Sequence, residues 1–261
     1  MEFDNKVVAI TGAAGGIGQS MCRHFGALGA AVAALDISPR VTDFVGDLKA
    51  AGIKSSAAVV DIGDPSRVKA GFADLVAALG AVDILVNNAG FSERASLHRA
   101  TPETWRHDVN GNLNGAFNCA YAVLPDMQAR RSGSIVNIGS INGLYALGDP
   151  AYSAAKAGLI NFTKALAMEY GRFGIRANII LPGTVRTPLW EERASRNPKI
   201  LSDLVRWYPL GRIVDPSDVA RAAAFLVSDA AAAITGAVLA VDCGLSAGNI
   251  AMARELTLEP Y

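Results

Sequence analysis

The chain has 261 residues, 51% of them hydrophobic and 18% charged, which excludes a disordered chain and is ample for one large α/β domain or two small ones. Lys+Arg and Asp+Glu balance at 24 each, so no global field recruits nucleic acid or an acidic membrane surface. The 3 cysteines (Cys22, Cys119, Cys243) are widely spaced with no CxxC pair, which argues for reduced, buried thiols rather than a disulfide frame or a zinc site.

Glu2, Asp4 and Lys6 precede the first apolar run, unlike a signal peptide. No apolar window is long enough to span a bilayer before Gly or a charge interrupts it. The expectation is a soluble, cytoplasmic protein with no membrane partner.

Lys6–Ile10 is a short apolar run rich in β-branched residues, the pattern of a strand buried on both faces. It leads directly into Thr11-Gly12-Ala-Ala-Gly15-Gly16-Ile17-Gly18 and a helix-like segment over Gln19–Leu28. Glycines at such a turn let the backbone approach a pyrophosphate, and the helix start offers free amides. A tight turn with close helix packing would read the same way. The next strand, Ala30–Leu35, ends in Asp36, about 20 residues beyond the glycines, where a dinucleotide site places its ribose ligand. A carboxylate there accepts from a 2′-hydroxyl and repels a 2′-phosphate, so NAD is expected over NADP. Arg40, close in sequence, is the one feature that softens this reading.

A helix over Val41–Ala51, a strand over Ser55–Val60 ending at Asp61, a helix over Pro65–Leu79 and a strand over Val82–Val86 follow. The last of these runs into Asn87-Asn88-Ala89-Gly90. Alternating strands and helices without hairpin signals imply right-handed crossovers and a parallel sheet. Asp61, Asn87 and Gly90 then share the carboxyl edge with the glycine loop, although adjacent asparagines also serve as ordinary turn formers.

Thr101-Pro102-Glu103 opens one long helix running to about Arg131, with Thr as cap and Pro at the first position. Asn112 lies in its packed part and needs polar partners, a bound water among the candidates. His24, His98 and His107 lack ligand spacing, and no metal site is expected. The run Ser134–Gly139 reads as a strand that delivers Ser140 to its carboxyl edge. The helix-like Ala151–Met168 places Tyr152 and Lys156 four residues apart on one face. An ordinary tyrosine titrates near pH ~10, and a nearby ammonium is expected to favour the phenolate.

Ile175–Leu181 is the next strand, followed by Pro182-Gly183-Thr184-Val185-Arg186-Thr187. The stretch Leu189–Arg212, with Trp190, Trp207 and Tyr208 among many charges, reads either as a substrate-covering loop over about 187–212 or as two small surface helices. Pro216–Ser228 is a final helix and Ala237–Val241 a final strand. The tail, 245–261, has no core pattern and could cover a neighbouring subunit. No repeat, low-complexity tract or linker appears, so residues 1–261 are read as a single domain.

In this order, Thr11-Gly12-xxx-Gly16-x-Gly18, Asn87-Asn88-Ala89-Gly90, Asn112, Ser140, Tyr152-xxx-Lys156 and Pro182-Gly183 resemble the classical short-chain dehydrogenases/reductases, from Lys6 to about Gly244. The resemblance implies an α/β Rossmann fold: a doubly wound, seven-stranded parallel sheet with helices on both faces, assembled as a homotetramer or homodimer. It implies Tyr152 as acid/base, Lys156 tuning it and holding the nicotinamide ribose, Ser140 on the substrate oxygen, and Asn112 keeping a proton-relay water. Asp36 would hold the adenosine ribose, and Asp61 with Ile62 the adenine. Gly12, Gly15, Gly16, Ile17 and Gly18 would cradle the pyrophosphate. Asn87, Asn88, Ala89 and Gly90 would line the cleft, with Pro182, Gly183, Val185 and Thr187 toward the carboxamide. The Ser140–Tyr152 interval is one residue shorter than the family's commonest spacing, a difference the loop 144–150 is expected to absorb.

The activity implied is hydride transfer between NAD and a secondary alcohol or its ketone. Asn142, Tyr145, Leu147, Glu93, Arg94 and Trp190, together with Ser140 and Tyr152, are the expected substrate contacts. Their mixed polar and aromatic character suggests a polyol, sugar or other small hydroxylated substrate. The alternative is reduction of a 3-oxoacyl thioester, with Arg130, Arg131 and Arg172 offering a basic surface to an acidic carrier. A third reading is an NAD-binding sensor or scaffold without catalysis.

Overall fold

Short runs rich in Val, Ile and Ala form strands here because helices cover both of their faces, so no polar alternation is required. The structure, a computed structural model, describes residues 2–93 and 95–259. The strands are β1 (Val7–Thr11), β2 (Ala31–Asp36), β3 (Ser55–Val59), β4 (Ile84–Asn87), β5 (Gly133–Ile138), β6 (Ile175–Pro182) and β7 (Val238–Val241). They form one 7-stranded parallel sheet in the order β3-β2-β1-β4-β5-β6-β7.

The helices are α1 (Gly16–Ala27), α2 (Arg40–Ala50), α3 (Pro65–Leu79), α4 (Pro102–Val109), α5 (Gly115–Arg130), α6 (Pro150–Tyr170), α7 (Pro188–Arg196), α8 (Ile200–Val205), α9 (Pro216–Val227) and α10 (Ile250–Thr257). Val8, Ile10, Val32 and Ala34 point to one face of the sheet and pack with Met21, Phe25, Phe44, Leu48, Val219 and Ala223 of α1, α2 and α9. Val7, Ala9, Ala33 and Leu35 point to the other and meet Phe72, Leu75, Val123, Met127 and Leu166 of α3, α5 and α6. The chain therefore forms the expected single-domain, doubly wound Rossmann fold. No helix among the described residues is long and apolar enough to cross a membrane.

The single helix expected from Pro102 to about Arg131 is instead interrupted. Between α4 and α5, residues Asn110–Asn114 form one π-helical turn. The Asn112 side chain donates to the carbonyl of Asp108, the acceptor that its own amide would use in an α-helix. Side-chain competition for that acceptor favours the wider turn, and periodicity alone carries no trace of it.

The stretch after Thr187 takes the second of its two expected forms, two small helices (α7 and α8), whereas the tail is more ordered than its sequence suggested. It carries α10, capped by Asn249 Oδ1 accepting from the Met252 amide at 3.0 Å. Leu245 packs against the core before α10 begins.

A buried polar chain crosses the sheet to α6. Asn87 Nδ2 donates to Asn137 Oδ1 (2.9 Å), Asn137 Nδ2 to Thr163 Oγ1 (2.8 Å), and Thr163 Oγ1 to the Leu159 carbonyl (2.7 Å). Asn137 is fully buried, so truncating it leaves two buried polar groups without their partner. Asn137→Ala is expected to lower the unfolding free energy by roughly 2–4 kcal/mol in urea titrations.

Candidate active site

The strand order reverses between β1 and β4, which opens a crevice at their carboxyl ends. Thr11 closes the seam beneath it. Its Oγ1 accepts from the amides of Asn88 and Ala89, both at 3.0 Å, while Asn88 Nδ2 donates to the carbonyls of Thr11 (2.9 Å) and Gly12 (3.2 Å). Gly12 sits at φ +64°, and a Cβ there would lie 2.8 Å from Ala89 Cα. A Cβ on Gly18 would run into the Gly12 carbonyl, so α1 rests directly on the turn. Only glycine fits either position.

The α1 terminus begins at Gly15, with no side-chain cap and no acid in its first turn. Gly16, Ile17 and Gly18 thus present first-turn amides and the positive helix end without a side-chain competitor. Asp36, at the end of β2, accepts from the Ala14 amide through Oδ2 and from the Ser38 amide through Oδ1, each at 2.8 Å. A carboxylate has about four lone-pair sites, so acceptor capacity remains beside the glycine loop. These residues fit a dinucleotide: a capless helix end for pyrophosphate and a carboxylate for a ribose diol.

Farther along the edge, Asp61 Oδ1 accepts from the Gly63 amide (2.9 Å) and the Ile62 carbonyl accepts from Asn118 Nδ2 (2.9 Å). Asp61 and Ile62 sit at the β3 end of the crevice and do not line the main cavity. Asn87 departs from its expected place. It is buried and donates to the Ala116 carbonyl and to Asn137, under the sheet edge rather than in the cleft; side-chain alternation sends its neighbour Asn88 outward instead.

A cavity of about 1010 Å³ occupies the other half of the crevice. Ile17, Asn88 and Gly90 line its dinucleotide side, with Pro182, Gly183, Val185 and Thr187 after β6. Ser140, Tyr152 and Lys156 share one wall, and Asn142, Tyr145, Leu147 and Trp190 extend it outward. Gly12, Gly15, Gly16, Gly18, Asp36, Ala89 and Asn112 lie around this cavity rather than on its surface.

Ser140 ends the turn after β5, where its Oγ accepts from the Asn142 amide (3.2 Å) and donates to Asn142 Oδ1 (3.3 Å). Lys156 is buried in α6, and its Nζ donates to the Ile138 carbonyl at 2.9 Å. Asn112 Nδ2 donates to the carbonyls of Phe91 (2.7 Å) and Asp108 (2.8 Å), and its Oδ1 accepts from the Phe91 amide at 3.3 Å. Protein backbone thus supplies the partners for which sequence reasoning offered a water. Asn112 and Lys156 converge beneath Gly90, where a Cβ would lie 2.7 Å from Asn112 Oδ1 and 3.1 Å from Lys156 Nζ. Within the short Ser140–Tyr152 interval, Gly148 (φ 92°) and Asp149 (φ 49°) are consecutive residues of positive φ.

Burial governs both titrating groups. It pushes Lys156 down to about 8. It pushes the Tyr152 phenol up, the Asp149 charge adds to this, and a hydrogen bond with Ser140 pulls the other way. The expectation that Lys156 holds the phenol below its usual value is therefore corrected for the chain by itself. The ammonium stands over the Tyr152 ring, 5.4 Å from its centroid, and directs its bond to Ile138.

Sequence reasoning missed several lining residues: Phe91, Ser92, Asp149, Arg193, Leu204, Leu245, Ser246 and Asn249. None belongs to a motif. Arg193 stacks over Trp190, 4.7 Å from its ring. Ser246 and Asn249 bring the tail onto this chain's own cavity, with Tyr145 Oη donating to the Ser246 carbonyl at 3.2 Å. Of the expected substrate contacts, the Glu93 carboxylate pairs with His107 and its backbone amide donates to Asp108 instead, and Arg94 lies outside the described residues. No cluster of His, Cys, Asp and Glu among the described residues could hold a metal ion.

Comparison with known proteins decides the family. A family model described as Enoyl-(Acyl carrier protein) reductase matches residues 12–246. An oxidoreductase of the short chain dehydrogenase/reductase family from Burkholderia thailandensis is 50% identical, with 98% of each chain covered and a TM-score of 0.92. The chain belongs to the short-chain dehydrogenase/reductase family. It is an oxidoreductase of that family, which binds nicotinamide cofactors. The uncharacterized oxidoreductase C922.06 of Schizosaccharomyces pombe is 42% identical over 262 residues, covering 99% of this chain and 98% of the relative. A 3-oxoacyl-[acyl-carrier protein] reductase from Brucella melitensis with bound NAD is 31% identical, with a TM-score of 0.86 and 94% and 92% of the two chains covered.

The depressed Lys156 value carries a stability consequence. Between pH 8 and 10 the unfolded chain holds this proton while the native one releases it, so unfolding binds a proton and native stability rises with pH. Relative to Lys156→Met, the wild-type unfolding free energy is expected to climb by up to ~1.4 kcal/mol per pH unit in that window, read from urea titrations at stepped pH.

Proposed function

We propose that this oxidoreductase is an NAD-dependent dehydrogenase that interconverts a secondary alcohol and its ketone, with a polyol, sugar or other small hydroxylated compound as substrate. The observation that carries the reading is the convergence of Ser140, Tyr152 and Lys156 on one wall of a cavity beside the dinucleotide crevice. Bound nicotinamide supplies the hydride acceptor or donor. Tyr152 takes the hydroxyl proton during oxidation and returns it during reduction, and Ser140 hydrogen-bonds the substrate oxygen. Lys156, anchored on Ile138, holds its charge beside the phenol and the nicotinamide ribose. Asn112 ties the π-turn to Phe91 in the loop after β4, and we assign it as the holder of a proton-relay water.

Asp36 supports NAD over NADP, because its carboxylate ends β2 beside the glycine loop and a 2′-phosphate would meet that charge. Arg40 does not turn toward Asp36. Its Nε donates to Ser38 Oγ at 3.2 Å. The segment 187–212, with α7 and α8, is assigned to covering the substrate. A homotetramer fits the apolar outer faces of α5 and α6, where Phe117 and Tyr121 stack at 5.8 Å and Met168 is exposed. A cytoplasmic location accords with the buried, unpaired cysteines.

The runner-up, 3-oxoacyl thioester reduction, is favoured by the Brucella melitensis relative. Its basic carrier surface is weaker than the sequence suggested. Arg130 pairs with Asp126 (2.8 Å) and Asp83 (3.1 Å). Arg130, Arg131 and Arg172 also lie where β5 and β6 begin, at the sheet edge opposite the cavity.

Purified protein is tested for NADH formation at mildly alkaline pH across polyols, sugars and simple secondary alcohols, with NADP⁺ and a 3-oxoacyl thioester plus NADH alongside. Turnover of a hydroxylated class with NAD⁺ is expected, and activity confined to the thioester would replace this reading with the runner-up. Tyr152→Phe should lower kcat by ~10²–10⁴-fold while NADH still binds, and full turnover would remove Tyr152 from the mechanism. Asp36→Ala should shift the NAD⁺-to-NADP⁺ ratio of kcat/KM toward NADP⁺ by about tenfold or more, the size of losing a charge-assisted contact together with a repulsion.

A further inference from the structure

Asp149 stands at the start of α6 without capping it. It adopts the left-handed backbone (φ 49°, ψ 62°), which most L-residues avoid, directly after Gly148 in the same region. It also occupies the N-cap of α6 ahead of Pro150, where an aspartate ordinarily accepts from a first-turn amide, and its side chain makes no such bond. Instead Oδ1 accepts from Ser92 Oγ at 2.7 Å, and among the described residues Oδ2 has no hydrogen-bond partner. Both Asp149 and Ser92 line the cavity that holds Ser140 and Tyr152. With its backbone in that region, the Asp149 side chain is turned away from the first-turn amides of α6 and toward Ser92.

The Ser92 hydroxyl gives its proton to Asp149, so the pair offers acceptors only and calls for a ligand donor. A neutral hydroxyl fits better than an ammonium. Asp149 is the single acidic residue among those lining the cavity, against the two cations Lys156 and Arg193. We propose that the Asp149 carboxylate and the Ser92 hydroxyl form a substrate subsite that accepts a second hydroxyl, on a carbon next to the reacting one. The enzyme would then select vicinal diols and larger polyols over monohydric alcohols. This rests on the hydroxylated-substrate reading above and assigns the residues that enforce it.

The test compares kcat/KM for butane-2,3-diol against butan-2-ol, and for cyclohexane-1,2-diol against cyclohexanol, in wild type, Asp149→Asn and Ser92→Ala. Asparagine tolerates the left-handed backbone and can still accept from Ser92, so a melting temperature equal to the wild type's is the control for folding. The diol-to-alcohol ratio is the readout, because any effect of Asp149 on Tyr152 acts on both substrates and cancels. Wild type should favour the diols by about tenfold or more, and Asp149→Asn should erase most of that preference, chiefly through KM. Ser92→Ala should move the ratio the same way. A folded Asp149→Asn that keeps the wild-type ratio, or loses both substrates equally, overturns the subsite and leaves the hydroxylated-substrate reading in place. A wild type that prefers the monohydric partner, uses only the thioester, or turns over none of them overturns that reading and the subsite with it.

Discussion

The hydroxyl of Thr11 accepts two backbone amides from the far side of the strand-order reversal, and Asn88 returns two bonds to the carbonyls of Thr11 and Gly12. These bonds join the carboxyl ends of β1 and β4 where the two halves of the sheet diverge. With the seam closed, the turn after β1 has room only for glycine, and α1 can begin against it without a cap. Everything the crevice offers a dinucleotide follows from that closure: amides at one helix end, Asp36 beside them, and Gly90 over the buried Lys156. A crossover order without the reversal would fill the same edge with helices and leave no crevice.

At the cavity wall the structure holds charge and polarity in a buried setting. Lys156 and Asn112 meet beneath Gly90, one bonded to the end of β5 and the other to the loop after β4 and to the helix turn before it. Low local polarity strengthens these bonds and also makes the ammonium expensive to keep, which is why its proton is held less tightly than usual. The π-turn at Asn110–Asn114 belongs to the same arrangement, since it frees the Asp108 carbonyl for the Asn112 amide. Lys156 and Asn112 are therefore fixed by backbone atoms of separate elements, an arrangement that tolerates little movement.

Much of this was legible in the residue order. Strand runs without polar alternation announced a sheet covered on both faces, and the glycine loop, Asp36, Ser140, Tyr152 and Lys156 were placed by their distance from strand ends. Asn87 was misread because two adjacent asparagines look alike in sequence, whereas the pleat sends one inward to Asn137 and the other to the crevice. The interrupted helix escaped notice because a single extra residue in one turn leaves the apolar pattern nearly intact. Asp149 read as nothing more than the residue before a helix-opening proline.

Fold class, the alternation of strands and helices, and the residue types that stand at the carboxyl edge can all be read along the chain. Those properties depend on local periodicity and on short-range spacing, which the chain carries directly. What those residues experience comes from packing across the fold. Burial sets the proton affinities of Tyr152 and Lys156, and the meeting of segments far apart in the chain sets the rest: Ser92 with Asp149, Tyr145 with Ser246, Arg193 over Trp190. Proton affinity and substrate contacts depend on distances between such segments, and no spacing along the chain encodes a distance across it.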